Sequence, residues 1–176
     1  MTTKKTICAI ALASMGILTA GSAFGQGKTT DDTFAMHAAS GGMAEVKLGE
    51  LAEKNGSSEA VKNFGKRMVE DHSKANDQLK DVAAKNNITL PTTMNSSDRA
   101  TYNRLSKLSG TQFDKAYMKD MVVDHEKDIS EFKREASAGK NEEVKTFASD
   151  TLPTLESHLK EAKSVDREVA GTNAGN

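Results

Sequence analysis

The chain is poor in the residues on which many activities depend. Of its 176 residues one is Cys, none is Trp and two are Pro, and aromatic residues make up 5%. A lone cysteine, Cys8, leaves no intrachain disulfide and no thiolate pair for a metal or a redox cycle. Charge of one sign is missing too. The 24 basic residues nearly balance the 25 acidic ones, so there is no electrostatic drive toward nucleic acid or anionic lipid. No Gly-x-Ser-x-Gly, His-Glu-x-x-His or glycine-rich phosphate loop occurs. These absences point away from an enzyme.

What is present begins with a leader. Lys4 and Lys5 precede an apolar run from Ile7 to Ala20, and small residues follow at Gly21, Ser22, Ala23 and Gly25. That layout predicts a cleaved secretory signal peptide over residues 1–25. The apolar run is about 14 residues, short of the roughly 20 a spanning helix needs. Cys8 stands before the apolar core, which argues against lipoprotein anchoring. No later segment is apolar enough to cross a bilayer, so the expected product is soluble and periplasmic. With Lys4 and Lys5 gone, 22 basic residues face 25 acidic ones and the net charge moves from −1 to −3.

The remainder reads as helix. Phe34, Ala38, Gly41, Ala44, Leu48, Leu51 and Ala52 recur at spacings of three and four, predicting a helix from Phe34 to about Glu53. Asn55-Gly56 ends it, and Ser57 or Ser58 is the expected cap of the next. The second helix is expected from Glu59 to about Asn86, on a stripe of Val61, Phe64, Met68, Ala75, Leu79 and Val82. Residues 88–111 hold Pro91 and a short helix starting at Ser96-Ser97-Asp98. The third long helix, Thr111 to about Ser137, carries Phe113, Tyr117, Met121, Ile129, Phe132 and Ala136. A fourth follows Gly139, where Pro153 is expected to cause a kink or a restart. Residues 26–30 read as a flexible start, 31–168 as one helical domain and 169–176 as a frayed tail.

Glu59-x-Val61-Lys62-x-Phe64 returns 83 residues on as Glu142-x-Val144-Lys145-x-Phe147. At the same offset Asp31 meets Asp114, Phe34 meets Tyr117, Glu45 meets Asp128 and Gly56 meets Gly139. Two helical hairpins joined by a crossover with a short helix predict an all-α four-helix bundle of ferritin-like connectivity. Three segments carry a resemblance: Phe113-Asp114-x-x-Tyr117-Met118-x-x-Met121-Val122-x-Asp124-His125, Met68-Val69-x-Asp71-His72, and Leu152-Pro153-x-Leu155-x-x-His158-Leu159. Together they resemble the bacterial domain of unknown function family 4142, over about Asp31 to Asp166. The resemblance implies an exported helical domain, often labelled an outer-membrane protein, and implies no activity.

Each predicted long helix carries one histidine: His37, His72, His125 and His158. All four fall in or beside an apolar stripe. At about 1.5 Å per residue, His72 lies roughly 24 Å and His37 roughly 28 Å from the first hairpin turn. His125 lies roughly 21 Å and His158 roughly 28 Å from the second. These are mid-helix levels, where imidazoles from different helices could meet. Glu45 lies on the core side of its helix, and Asp128 stands one turn after His125. Asp71 and Asp124, about 100° round from the histidines they precede, suit acceptors for an imidazole N–H.

Two functions follow. In one, His72, His125 and His158, completed by Glu45 or Asp128, hold a divalent transition metal; nitrogen and oxygen donors suit Zn, Cu(II), Ni or Fe. His37, Asp71, Asp124, Met68 and Met121 are outer candidates, the methionines as soft donors for Cu(I). Val69 and Leu155 stand where a di-iron bundle needs the glutamates of Glu-x-x-His, so oxygen activation is not expected. In the other, the histidines form a polar core layer of Asp–His pairs in a non-catalytic envelope module that meets a protein partner or itself.

Overall fold

A computed structural model describes residues 30–171. The expected leader, residues 26–29 and the last five residues of the expected tail lie outside the described residues. Within that range the chain is helical: α1 (Thr30–Asn55), α2 (Glu59–Lys85), α3 (Ser96–Leu105), α4 (Gly110–Ala138) and α5 (Glu142–Gly171). No described helix is long and apolar enough to cross a membrane.

The long helices pair as α1 with α2 and α4 with α5, and the pairs meet where α2 faces α5 and α1 faces α4. α1 and α2 approach through glycine. A Cβ at Gly49 would lie 2.5 Å from the carbonyl oxygen of Gly65, and one at Gly65 2.7 Å from Ala52 Cβ. Phe34 against Phe132 and His37 near Glu131 set α1 antiparallel to α4. α3 packs on α1 and α4. Apolar burial divides into two clusters along this stack. One gathers Phe64, Phe113, Tyr117 and Val165; the other gathers Phe34, Leu79, Phe132 and Phe147.

Several local expectations are corrected. α1 already includes Thr30, four residues before the apolar stripe, and Asp31 and Asp32 in its first described turn suit the positive end of a helix. Ser58 occupies the N-cap of α2 but its side chain makes no cap bond. Asp114 of α4 accepts instead, from the backbone N–H of Ser57 and Ser58 and from the Ser57 hydroxyl. α3 starts at Ser96 as expected, and Asn95 caps it by accepting from the Asp98 N–H. α5 does not restart at Pro153. Proline's fixed φ suits a helix, and its missing N–H removes one bond, the one to Ser149. α5 also runs on to Gly171, so residues 169–171 are helix and not tail. Asn87, at φ 56°, closes α2 in the left-handed region that asparagine tolerates, and Ile88 N–H reaches back to Ala83 O.

Candidate metal centre

Three of the four histidines meet between the two apolar clusters. His72 comes from α2, His125 from α4 and His158 from α5, and all are buried. Their ring centroids are 5.8 Å (His72–His125), 5.4 Å (His72–His158) and 5.4 Å (His125–His158) apart. One ring nitrogen from each lies within 4.8 Å of the others.

The second nitrogen of two rings is pinned. His125 Nδ1 lies 2.9 Å from Met121 O, one turn back on the same helix. A carbonyl only accepts, so Nδ1 carries the proton and Nε2 is a bare lone pair. His158 Nε2 lies 2.8 Å from Asp71 Oδ2 on α2, so Nε2 donates and Nδ1 is left bare. Asp71 in turn accepts from Arg67 Nε at 3.3 Å. Arg67 also binds Glu161 and the Ser157 hydroxyl of α5, which fixes α2 against α5 beside His158. The three nitrogens left over, His72 Nε2, His125 Nε2 and His158 Nδ1, are buried and have no hydrogen-bond partner.

Burial keeps these rings neutral. It pushes His72 well below the ordinary histidine value, and His125 down to about 4. His158 is lowered as well, burial outweighing the upward pull of Asp71. Neutral imidazoles with free lone pairs are the ligating form. Orienting each ring through its far nitrogen, by a carboxylate or a carbonyl, is how metal-ligating histidines are usually held.

The other candidates divide. Glu45 is fully buried on α1, with neither carboxylate oxygen partnered. Burial, with Asp124, Asp128 and Asp98 nearby, pushes its carboxyl well above the ordinary value. It does not join the three-nitrogen group. Asp128 is partly buried and pushed up to about 8 by burial and by Asp124 and Glu131. Asp128 and Asp124 line a cavity beside the site rather than the nitrogen cluster. Asp71 accepts from His158, an acceptor role, but the imidazole is not that of its neighbour His72. Met68 and Met121 are core side chains, and Met121 meets His125 through its carbonyl oxygen. His37 is a correction: its side chain is 63% exposed, with Nδ1 3.9 Å from Glu131. Its apparent stripe position leaned on Gly41, which has no side chain to define a buried face and lines the cavity. Sequence reading missed Arg67, Ser157 and Glu161; only the i,i+4 spacing of Arg67 and Asp71 hinted at one of them.

Residues 18–165 match the family described as Domain of unknown function (DUF4142), and the chain belongs to that family. No curated protein and no solved structure matches it.

Proposed function

We propose that this DUF4142 chain is an exported, non-catalytic four-helix bundle of ferritin-like connectivity. It holds one first-row transition-metal ion through His72 Nε2, His125 Nε2 and His158 Nδ1. One observation carries this reading: three buried imidazoles meet with one ring nitrogen of each within 4.8 Å of the others, and each ring has a buried nitrogen that finds no hydrogen-bond partner among the described residues. Leaving a buried polar group unsatisfied costs about 1–3 kcal/mol, and here three such costs fall at one point. A metal ion removes all three together. At about 2.0–2.1 Å from each nitrogen, a tetrahedral ion holds its ligands about 3.3 Å apart, a contraction within reach of small ring rotations. Neutral nitrogen donors without thiolate favour Zn, Cu or Fe.

The helix directions support the bundle. α1 and α4 run antiparallel, as do α2 and α5, which leaves α2 and α4 parallel and makes the segment carrying α3 the long crossover. The exported, periplasmic setting rests on the leader pattern of residues 1–25, and association with the outer membrane on the family resemblance.

The competing reading, a structural polar layer, draws on the Asp71–His158 pair. It accounts for that pair and leaves the three bare nitrogens unexplained. Elemental analysis of the untagged protein, purified from the periplasmic fraction, separates the two. About one metal per chain, lost in His72→Ala/His125→Ala, is the expected result. No metal in either protein, after exposure to Zn, Cu and Fe salts, makes the layer structural and turns attention to a protein or self partner.

A further inference from the structure

A cavity of about 160 Å³ lies against the histidine cluster, and of the three clustered histidines His72 alone lines it. Its walls also carry Asp98, Asp124, Asp128 and Glu131, and among the described residues Lys127 is the one lining cation of Lys or Arg type. We propose that this cavity is the loading route of the metal site, in which its acidic side chains gather a hydrated divalent cation and hand it to His72. The inference rests on the metal-site reading above.

Three observations converge on it. The first is the wall shared with the site. His72 is more than nine-tenths buried and its Nε2 has no partner, so the cavity ends on a ligand-competent side chain. The second is the charge. With the Asp128 carboxyl pushed up to about 8, Asp98, Asp124 and Glu131 still set three carboxylates against one ammonium, which concentrates negative potential in a confined space and raises the local cation concentration and the rate of capture. Oxygen donors suit an ion that still carries its waters, whereas imidazoles suit one that has shed them. The third is the space. A water occupies about 30 Å³ of liquid, so a cation with part of its hydration shell fits.

The cavity wall is also anchored. Asp98 accepts from Ser40 Oγ at 2.7 Å and from Asn95 Nδ2 at 2.8 Å, and Ser40 Oγ accepts from the Asn95 N–H at 2.9 Å. The start of α3 is thereby fastened to α1 with an acid facing the cavity. Asp124 and Asp128 sit one helical turn apart on α4, on either side of His125, so the acids and the histidine site share one rigid element.

Co²⁺ is the probe, because its visible absorption reports binding directly. Stopped-flow uptake is compared in wild type, in Asp98→Asn/Asp124→Asn/Asp128→Asn and in Gly41→Leu. The triple variant is expected to associate at least tenfold more slowly at low ionic strength and to lose most of the salt dependence of that rate, with end-point stoichiometry kept. Gly41→Leu changes no charge. A Cβ there meets nothing within 4 Å, so a side chain can leave the backbone at this wall and narrow the cavity. It is expected to slow association and dissociation together, several-fold, at unchanged affinity. Association within twofold of wild type in Gly41→Leu and in any folded form of the triple variant overturns the loading route and leaves the metal site standing. A wild type that shows no histidine-dependent Co²⁺ spectrum removes the site itself, and the route with it.

Discussion

Asp31 and Asp114, 83 residues apart, do the same work at opposite hairpin turns. Asp114 on α4 accepts from the backbone of Ser57 and Ser58 at the α1–α2 turn. Asp31 on α1 accepts from the backbone of Lys140 and Asn141 at the α4–α5 turn. Each hairpin is therefore closed by an acid from the other, and the accepted residues are themselves offset by 83. The same offset carries Phe64 onto Phe147, Val61 onto Val144 and Tyr117 onto Phe34, exchanging the two apolar clusters.

The middle of the molecule does not follow this rule. At the positions equivalent to His125, His158 and His72 stand Gly42, Ala75 and Leu155. All three line the acidic cavity. One half-site thus holds three imidazoles, while its counterpart holds small or apolar residues and open volume. Gly42 is also packed shut by Asn76, whose Oδ1 would lie 2.0 Å from a Cβ there. Turns and core tolerate the repeat because both ends need the same packing. The polar layer has diverged, and divergence at buried positions of a repeated frame is where a specific chemical task is expected.

The largest expected effect tests that divergence. His125→Ala should lower metal affinity by more than the about 100-fold that outer-shell partners contribute. Leu155→Ala, at the position equivalent to His72, should cost about 2–5 kcal/mol of stability while keeping metal stoichiometry. Competition titration with a chromophoric chelator and thermal melts read the two. Equal loss of metal in both variants would erase the distinction between the halves.

Next is the support of His158. Asp71→Asn removes the carboxylate that orients its Nε2–H, and a loss of about 10- to 100-fold in affinity is expected. Fold stability should change much less, because Asp71 is partly exposed and its ion pair with Arg67 is screened. An unchanged affinity would reduce Asp71 to a helix–helix contact.

The turns should respond alike. Asp31→Ala and Asp114→Ala each take a charged acceptor from part-buried backbone donors, and each should cost about 1–3 kcal/mol in urea unfolding at neutral pH. A difference well beyond that range would show that the repeat is geometric but not energetic.

The smallest effect lies where the two turns differ. Glu135 stands beside Asp31, while its equivalent near Asp114 is Ala52. Burial and the Asp31 charge push Glu135 up to about 7. Its folded value exceeds its unfolded one, so between about 4.5 and 7 the native state binds more proton than the unfolded state. This group's contribution to stability is therefore lost as pH rises through that window. Glu135→Gln should melt a few degrees higher than wild type at pH 8, and the gap should close toward pH 5. A pH-independent gap would mean that the carboxylate is not the cause.

Periodicity sufficed for helix number and rough bounds, because a 3.6-residue stripe of Leu, Phe, Val and Met has one way to be buried. It also placed His72, His125 and His158 at compatible levels, since helical rise is nearly constant. It misjudged His37, where a glycine stood in for a buried side chain, and the cap of α2. In α2 the acceptor comes from another helix, and no local pattern encodes it. Ring tautomers, the Arg67–Asp71–His158 chain and the cavity under His72 depend on helix rotation and on contacts between residues far apart in the chain, Asp71 and His158 being 87 positions apart. Local sequence thus determined which helices form and which faces they bury. Only tertiary packing decided which polar groups on those faces meet, because register and rotation are set by side-chain volumes summed over all the helices together.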